Sequence, residues 1–510
     1  VIDLSSLNAT QIRDGIADKV FSAREVTEAA IERIGVLDRQ VHAFNQVTTK
    51  LAFAAADRID EAVASGLVLP ALAGVPVAFK DNMNLVGSRT TCSSRMLEDY
   101  ESVYDCTAVH RLLEAGTIPL GKCNMDEFAF GSSTEYSAFG PTHNPWNPEM
   151  VAGGSSGGSA ACVSGGMVTM ALGSDTGGSI RQPGAFTGVV ALKPTYGRVS
   201  RHGCVAFASS LDQIGPLAKT VEECAQALNA ISGKDPLDAT SVERPAEDFT
   251  AGLTEGVAGL RVGVVTDMLE AEGCAPEVRD SVSAAAEVFA SLGAEVGEAE
   301  LPSAAHALSA YYIIAPAEAS SNLARFDGIR YGHRADDAED VIDMYMRSRA
   351  DGFGPETIRR IMLGTYVLSA GYYEAYYGQA QKARTLIKRD FASAFENFDV
   401  LLTPTSPTVA FRIGDRVDDL LSMYLSDVYT IPVNLAGNCA ISVPSGVCPS
   451  WNLPIGLQII GDHFAESTVL RAAAAFEEAM GLDLTPLVVQ EIQHIASGGG
   501  KRRGFRAGMS

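Results

Sequence analysis

Met167-Val168-Thr169-Met170-Ala171-Leu172-Gly173-Ser174-Asp175-Thr176-Gly177-Gly178-Ser179-Ile180-Arg181 is the stretch on which the reading of this chain turns. An apolar run ending at Leu172 predicts a buried strand, and the glycine-rich segment behind it predicts a tight turn that exposes backbone N–H groups. Ser179 is thereby expected at the end of a strand. Similar short runs, rich in Val, Ile and Leu and bounded by Gly or Pro, occur at Val75–Phe79, Ile118–Leu120, Val189–Leu192, Leu260–Val265, Val400–Leu402, Ala440–Val443 and Ile455–Ile460. They alternate with helical patterns such as Pro276–Leu292, closed by Gly293. Alternation of this kind predicts an α/β fold.

The first ~65 residues read as helical. Ser22-Ala23-Arg24-Glu25 has the form of a capping box, followed at helical spacing by Val26, Ala29, Ala30 and Ile34; Ile12, Ile16 and Val20 mark an earlier helix. With no internal repeat or linker, residues 1–485 read as one domain with a helix-rich insertion at about 300–395 and a polar surface excursion at 233–255. Residues 486–510 read as a tail, disordered from about 497, where Ser497-Gly498-Gly499-Gly500 precedes Lys501-Arg502-Arg503 and Arg506.

The chain of 510 residues carries a net charge of −23 with 46% hydrophobic residues, a soluble globular profile. Such a balance repels a polyanion, so any nucleic acid in its function is expected on another polypeptide of a complex. Nine scattered cysteines without C-x-x-C, and eight histidines without a paired spacing, predict neither a disulfide framework nor a metal site. No basic start followed by an apolar run and no long apolar stretch is present. A cytoplasmic protein without a membrane span is expected; the chain starts at Val1, so either the initiator Met is missing or the start is trimmed.

A second glycine-rich stretch, Gly153-Gly154-Ser155-Ser156-Gly157-Gly158-Ser159, precedes the first. Neither fits a phosphate-binding loop, since G-x-x-x-x-G-K-[ST] is absent, nor a dinucleotide fingerprint. Two readings remain: a structural turn, or a serine nucleophile. In the second, the N–H groups of Thr176, Gly177, Gly178 and Ser179 form an oxyanion hole for the charge that develops on a carbonyl oxygen. A nucleophilic serine needs a base, yet G-x-S-x-G is missing, and His110, His143 and His202 are isolated. A buried, neutral lysine can serve instead. Lys80, closing Val75-Pro76-Val77-Ala78-Phe79, and Lys122, closing Ile118-Pro119-Leu120-Gly121, are rival candidates.

Val77-Ala78-Phe79-Lys80-Asp81-Asn82, the Gly153–Ser159 run and Gly173–Arg181 together resemble the amidase signature family. The separations match as well: 75 positions from Lys80 to Ser155 and 24 from Ser155 to Ser179, which selects Lys80 over Lys122. The resemblance implies a large mixed β-sheet covered by helices on both faces. It also implies a Ser–cis-Ser–Lys triad carried by Ser179, Ser155 and Lys80, with Asp175, Arg181 and Ser156 positioning the loops. Lys80 then takes the Ser179 proton through the Ser155 hydroxyl, and no metal is used.

Asn124–Ala129, Gly197–Arg201, Ser209–Pro216, Glu318–Gly328 and Arg359–Thr365 resemble, within that family, the glutaminase subunits of tRNA-dependent amidotransferases. This implies glutamine as substrate, with Tyr311, Arg360 and Asp427 at the glutamine-binding positions. Arg360 suits the α-carboxylate and Asp427 the α-ammonium, with Arg359 a neighbour for the former role. The same resemblance implies two partners, the B and C subunits of such an amidotransferase. The B partner would bind ATP, Mg and misacylated Glu-tRNA(Gln), and Asp-tRNA(Asn) is a further candidate. No cofactor is then expected in this chain. A stand-alone amidase acting on a small amide is the alternative.

Overall fold

All eight apolar runs become strands of one sheet. The structure, a computed structural model, describes residues 2–270 and 273–490; the segment from Ser497 to Arg506 lies outside the described residues. The strands are Phe44–Val47 (β1), Pro76–Lys80 (β2), Ile118–Cys123 (β3), His143–Asn144 (β4), Asn147–Val151 (β5), Met170–Asp175 (β6) and Val190–Lys193 (β7). They continue with Gln213–Ala218 (β8), Arg261–Val265 (β9), Glu295–Ala299 (β10), Val400–Pro404 (β11), Ala440–Cys448 (β12) and Leu453–Gly461 (β13). β4 and β5 form a separate hairpin, and the other 11 assemble in the order β1-β3-β2-β6-β8-β7-β12-β13-β11-β9-β10.

The sheet is mixed. β2 is parallel to both β3 and β6, whereas β6–β8 and β12–β13 are antiparallel. Strand alternation feeds two cores: Val400 and Leu402 pack into one, and Leu401, pointing the other way, into the second. The first core also takes residues of the helices Ala23–Val41, Val221–Ile231 and Glu466–Met480, and the second those of Ala307–Asn322 and Gln379–Asn397. Helices therefore cover both faces, which is why the central strands read as continuous apolar runs.

The capping box forms as read: Glu25 N–H donates to Ser22 Oγ at 3.1 Å and Ser22 N–H to Glu25 Oε2 at 2.8 Å, opening the helix Ala23–Val41. Two features of the amino-terminal reading are corrected. The first helix ends at Ala17, so Val20 lies beyond it and is 75% exposed. The first 65 residues are not all helical either, because Phe44-Asn45-Gln46-Val47 adds an edge strand beside β3. β1 and the mostly exposed β10 are both edges with polar residues, and β8 interrupts its apolar residues with Gly215 and Pro216. None of the three presents an unbroken apolar run.

Candidate active site

β2 and β6 are adjacent and parallel, with Phe79 opposite Leu172, so both chains leave the sheet at the same edge. In open α/β sheets the carboxyl ends of strands are where ligands bind. Lys80 is the last residue of β2, and Thr176–Ser179 is the turn that follows β6; Ser179 lies four residues beyond the strand rather than at its end.

Lys80 Nζ donates to Ser155 Oγ at 2.7 Å and to the Ser174 carbonyl at 3.2 Å. Both Lys80 and Ser155 are fully buried. Burial pushes the Lys80 amine down to about 8, against the opposing influence of Cys204 and of the carboxylates Asp126, Asp175 and Asp212. The amine is thus available in its neutral form near physiological pH. The peptide bond between Gly154 and Ser155 is cis. Ser156 joins this loop to the turn after β6: its N–H donates to the Ser179 carbonyl at 3.1 Å and its Oγ to the Ser174 carbonyl at 3.2 Å. The rival Lys122 has a different occupation. It forms an ion pair with Asp81 at 3.0 Å and donates to the Arg89 carbonyl and to Thr90 Oγ1, both at 2.9 Å.

The turn is held from three directions. Asp175 receives Arg181 Nε at 3.0 Å and Nη2 at 2.9 Å, together with Asn434 Nδ2 at 2.8 Å and the Ile180 N–H at 3.1 Å. Burial alone would raise the Asp175 carboxyl, but the Arg181 guanidinium outweighs it and holds the group at about 2. Thr176 Oγ1 donates to Asp212 Oδ1 at 2.6 Å. Thr430 Oγ1 donates to the Gly177 carbonyl at 2.7 Å. Among the described residues, the N–H groups of Gly177, Gly178 and Ser179 donate to no partner. A row of rigidly held, unpaired N–H groups is what a developing oxyanion requires.

Tyr311, Arg360 and Asp427 come from three separate elements; Tyr311 and Asp427 border this turn, and the Arg360 charge acts on both of them. A β-carbon on Gly177 would stand 2.8 Å from Tyr311 Oη, and one on Gly178 (φ +145°) would stand 3.1 Å from Asp427 Oδ1. Asp427 is buried; its Oδ2 accepts from Ser132 Oγ, and its Oδ1 is buried without a hydrogen-bond partner. Burial pushes its carboxyl up to about 8. A buried carboxyl oxygen without a partner beside the turn is a polar group that a bound ligand can satisfy.

Arg360 lies on the helix Pro355–Val367, yet it is only 3% exposed. Its guanidinium sits 4.6 Å from the Tyr312 ring centre and 4.7 Å from that of Tyr424, and Nε donates to Glu356 Oε1 at 2.7 Å. Arg359 points elsewhere, its side chain 46% exposed and paired with Glu356.

Several residues around the site escaped the sequence reading: Ser132, Gln182, Asp212, Tyr312, Glu356, Tyr424 and Thr430. Glu356 alone carried a local signal, its i,i+4 spacing to Arg360 on one helix face. Among the described residues no group of three or more His, Cys, Asp or Glu is placed to hold a metal ion, and no helix is long and apolar enough to cross a membrane.

The chain matches the amidase family model over residues 25–470. It is 55% identical to the A subunit of the glutamyl-tRNA(Gln) amidotransferase of Moorella thermoacetica over 478 residues, covering 94% of this chain and 97% of that one. Identity to the corresponding protein of Caldanaerobacter subterraneus is 54%, with coverage of 96% and 99%. The crystal structure of the glutamyl-tRNA(Gln) amidotransferase A subunit from Thermotoga maritima superposes with a TM-score of 0.79 at 43% identity, over 96% of this chain and 99% of that one. A bacterial aryl acylamidase of the amidase signature family superposes with a TM-score of 0.82 at 27% identity, over 97% and 99%. With nearly its whole length matched, the chain belongs to the amidase signature family.

Proposed function

We propose that this chain is the glutaminase subunit of a glutamyl-tRNA(Gln) amidotransferase, releasing ammonia from glutamine for transfer to misacylated Glu-tRNA(Gln). The observation that carries the choice of substrate is a buried, half-unpaired carboxyl beside the serine turn within the electrostatic reach of a buried cation. Arg360 offers a guanidinium for an α-carboxylate, and Asp427 Oδ1 lacks the partner that an α-ammonium would supply. An apolar amide would leave Asp427 Oδ1 desolvated and unpaired and would make no use of the buried Arg360 guanidinium. Relatives more than half identical over nearly the whole chain bear the same assignment.

In this reading Lys80, neutral, draws a proton from Ser155 as Ser155 Oγ takes the proton of Ser179, and Ser179 Oγ attacks the carboxamide carbon. The N–H groups of Thr176, Gly177, Gly178 and Ser179 receive the oxyanion. On collapse, the proton returns through Ser155 to the nitrogen and ammonia leaves; water then cleaves the acyl-enzyme by the same relay. Asp175, Arg181 and Ser156 hold the two loops in register. Tyr311 packs on Gly177 and borders the glutamine site. Residues 1–485 serve as one amidase domain.

The B and C partners complete the enzyme, with ATP, Mg and the tRNA held by the former. The net charge of −23 accords with that division. The test is co-expression with candidate partners, followed by measurement of amide nitrogen passed from labelled glutamine to Glu-tRNA(Gln). Ammonia release from small amides by an isolated chain that recruits no partner would instead favour a stand-alone amidase.

A further inference from the structure

Asp427 and the relay serine are joined by a continuous line of buried hydrogen bonds. Ser132 Oγ donates to Asp427 Oδ2, and the Ser132 carbonyl accepts from Gln182 Nε2 at 2.8 Å. Gln182 Oε1 in turn accepts from the Gly154 N–H at 3.0 Å. Gly154 precedes Ser155, whose Oγ accepts from Lys80. Ser132, Gln182, Ser155 and Lys80 are each no more than 3% exposed.

The line has firm supports on both sides. Ser132 belongs to a strap, Gly131–Tyr136, pinned by Asp126: its carboxylate receives the N–H groups of Ser133 at 3.3 Å, Thr134 at 2.9 Å and Tyr136 at 3.2 Å. The Asp126 N–H donates to the Ser155 carbonyl at 3.3 Å. Thr134 Oγ1 donates to the Gly153 carbonyl at 2.8 Å and accepts from the Gly157 N–H at 3.1 Å, enclosing the relay loop. Gln182 stands in the first turn of the helix that follows Ser179. Strap, relay loop and nucleophile turn therefore share one set of bonds.

We propose that Ser132 and Gln182 are positioning residues that couple recognition of the substrate ammonium at Asp427 to the placement of Ser155. The inference rests on the glutaminase reading above and adds a specificity function to residues outside the triad. Before an ammonium arrives, burial holds the Asp427 carboxyl largely protonated against the pull of Ser132, Arg181 and Arg360, and Ser132 donates to it as one neutral group to another. An arriving ammonium stabilises the carboxylate. The Ser132 bond then becomes charge-assisted, about twice as strong, and holds the Ser132 backbone, whose carbonyl takes the Gln182 amide, more firmly in place. The strap tightens onto Gly154, and Ser155 is fixed between Lys80 and Ser179. A substrate without the ammonium still reaches Ser179 but leaves the line slack. Its penalty falls on turnover as well as on binding, because Ser155 passes the proton in both acylation and deacylation.

The test compares glutamine with glutaramate, which is glutamine lacking only the α-ammonium, on the full chain in its amidotransferase complex. For the wild type, kcat for glutaramate is expected to be about tenfold or more below that for glutamine, in addition to a higher KM. In Gln182→Met, which removes both the donor to Ser132 and the acceptor for Gly154, the kcat ratio is expected to fall toward one. The KM ratio is expected to persist, because Asp427 still binds the ammonium. Ser132→Ala provides the same comparison from the other end of the line, and the wild-type measurement needs no variant. A purely structural role would lower kcat equally for both substrates. Equal kcat values for the two substrates in the wild type, or an unchanged kcat ratio in both variants, would overturn the coupling. Absence of any glutamine hydrolysis by the wild-type complex would overturn the glutaminase reading itself.

Discussion

Lys80 Nζ and Ser155 Oγ stand 2.7 Å apart, and neither residue reaches solvent. Burial keeps the amine at about 8 instead of its ordinary 10.5. Only the neutral amine can accept a proton, so kcat for ammonia release is expected to climb about tenfold per pH unit below 8 and to level above it. The linkage to stability has the same sign. Between pH 8 and 10.5 the unfolded chain binds a proton that the folded chain has lost, so this group's contribution to stability improves as pH rises across that window. A pH–rate profile checks the first statement. A profile flat from about pH 6 to about pH 9 would remove Lys80 from the role of base.

Ser179→Ala is expected to lower kcat by about 10⁴ or more, and Ser155→Ala by about 10²–10⁴, with glutamine binding retained in both. Binding by calorimetry and ammonia release by a coupled assay separate the two effects. Ammonia release by the Ser179 variant at the native rate would refute the nucleophile.

Asp427 offers a second pH signature. Burial holds its carboxyl at about 8 despite the pull of Arg181 and Arg360, and a bound ammonium lowers it, so glutamine binding near pH 7 should expel a proton and tighten as pH rises toward 8. Calorimetric titration of Ser179→Ala in buffers of different ionisation enthalpy measures that proton. Proton uptake, or none, would place the ammonium elsewhere.

Arg360→Ala is expected to raise KM for glutamine about 10- to 100-fold, since a buried charged hydrogen-bonding partner is lost. Arg359→Ala, at a half-exposed side chain, should change KM by less than about threefold. The reverse order would exchange their roles.

Gly178→Ala introduces a β-carbon 2.1 Å from Thr430 Oγ1 at a φ of +145°, a conformation that L side chains rarely adopt. A loss of about 1–3 kcal/mol in stability is expected, with a fall in kcat beyond what that loss explains, because the displaced N–H is one of the proposed oxyanion donors. Thermal unfolding and steady-state kinetics on the same preparation check both.

Much of the fold was legible because central strands buried on both faces must be apolar along their whole length, and all eight such runs lie in the sheet. The edges β1 and β10 bury less and so carry no such run, and β8 hides its strand behind Gly215 and Pro216. The capping box of Ser22 and Glu25 is a local device and was read correctly, whereas Val20 continues a helical spacing that the chain abandons after Ala17.

Family resemblance in the sequence selected Lys80, Ser155 and Ser179 as a set, because spacing along the chain is preserved in the motifs themselves. Residue types alone left Lys122 equal to Lys80. Tertiary structure separates them physically: Lys122 is neutralised by Asp81, while Lys80 has a hydroxyl and a carbonyl as partners and is buried without a paired carboxylate. The same is true of the proposed glutamine-binding residues. Arg360 on a helix and Asp427 in a loop look like solvated surface charges until folding buries them, Arg360 between Tyr312 and Tyr424 and Asp427 beside Gly178. Ser132 and Gln182 acquire their place only there, since a hydrogen bond between residues 50 positions apart leaves no pattern along the chain.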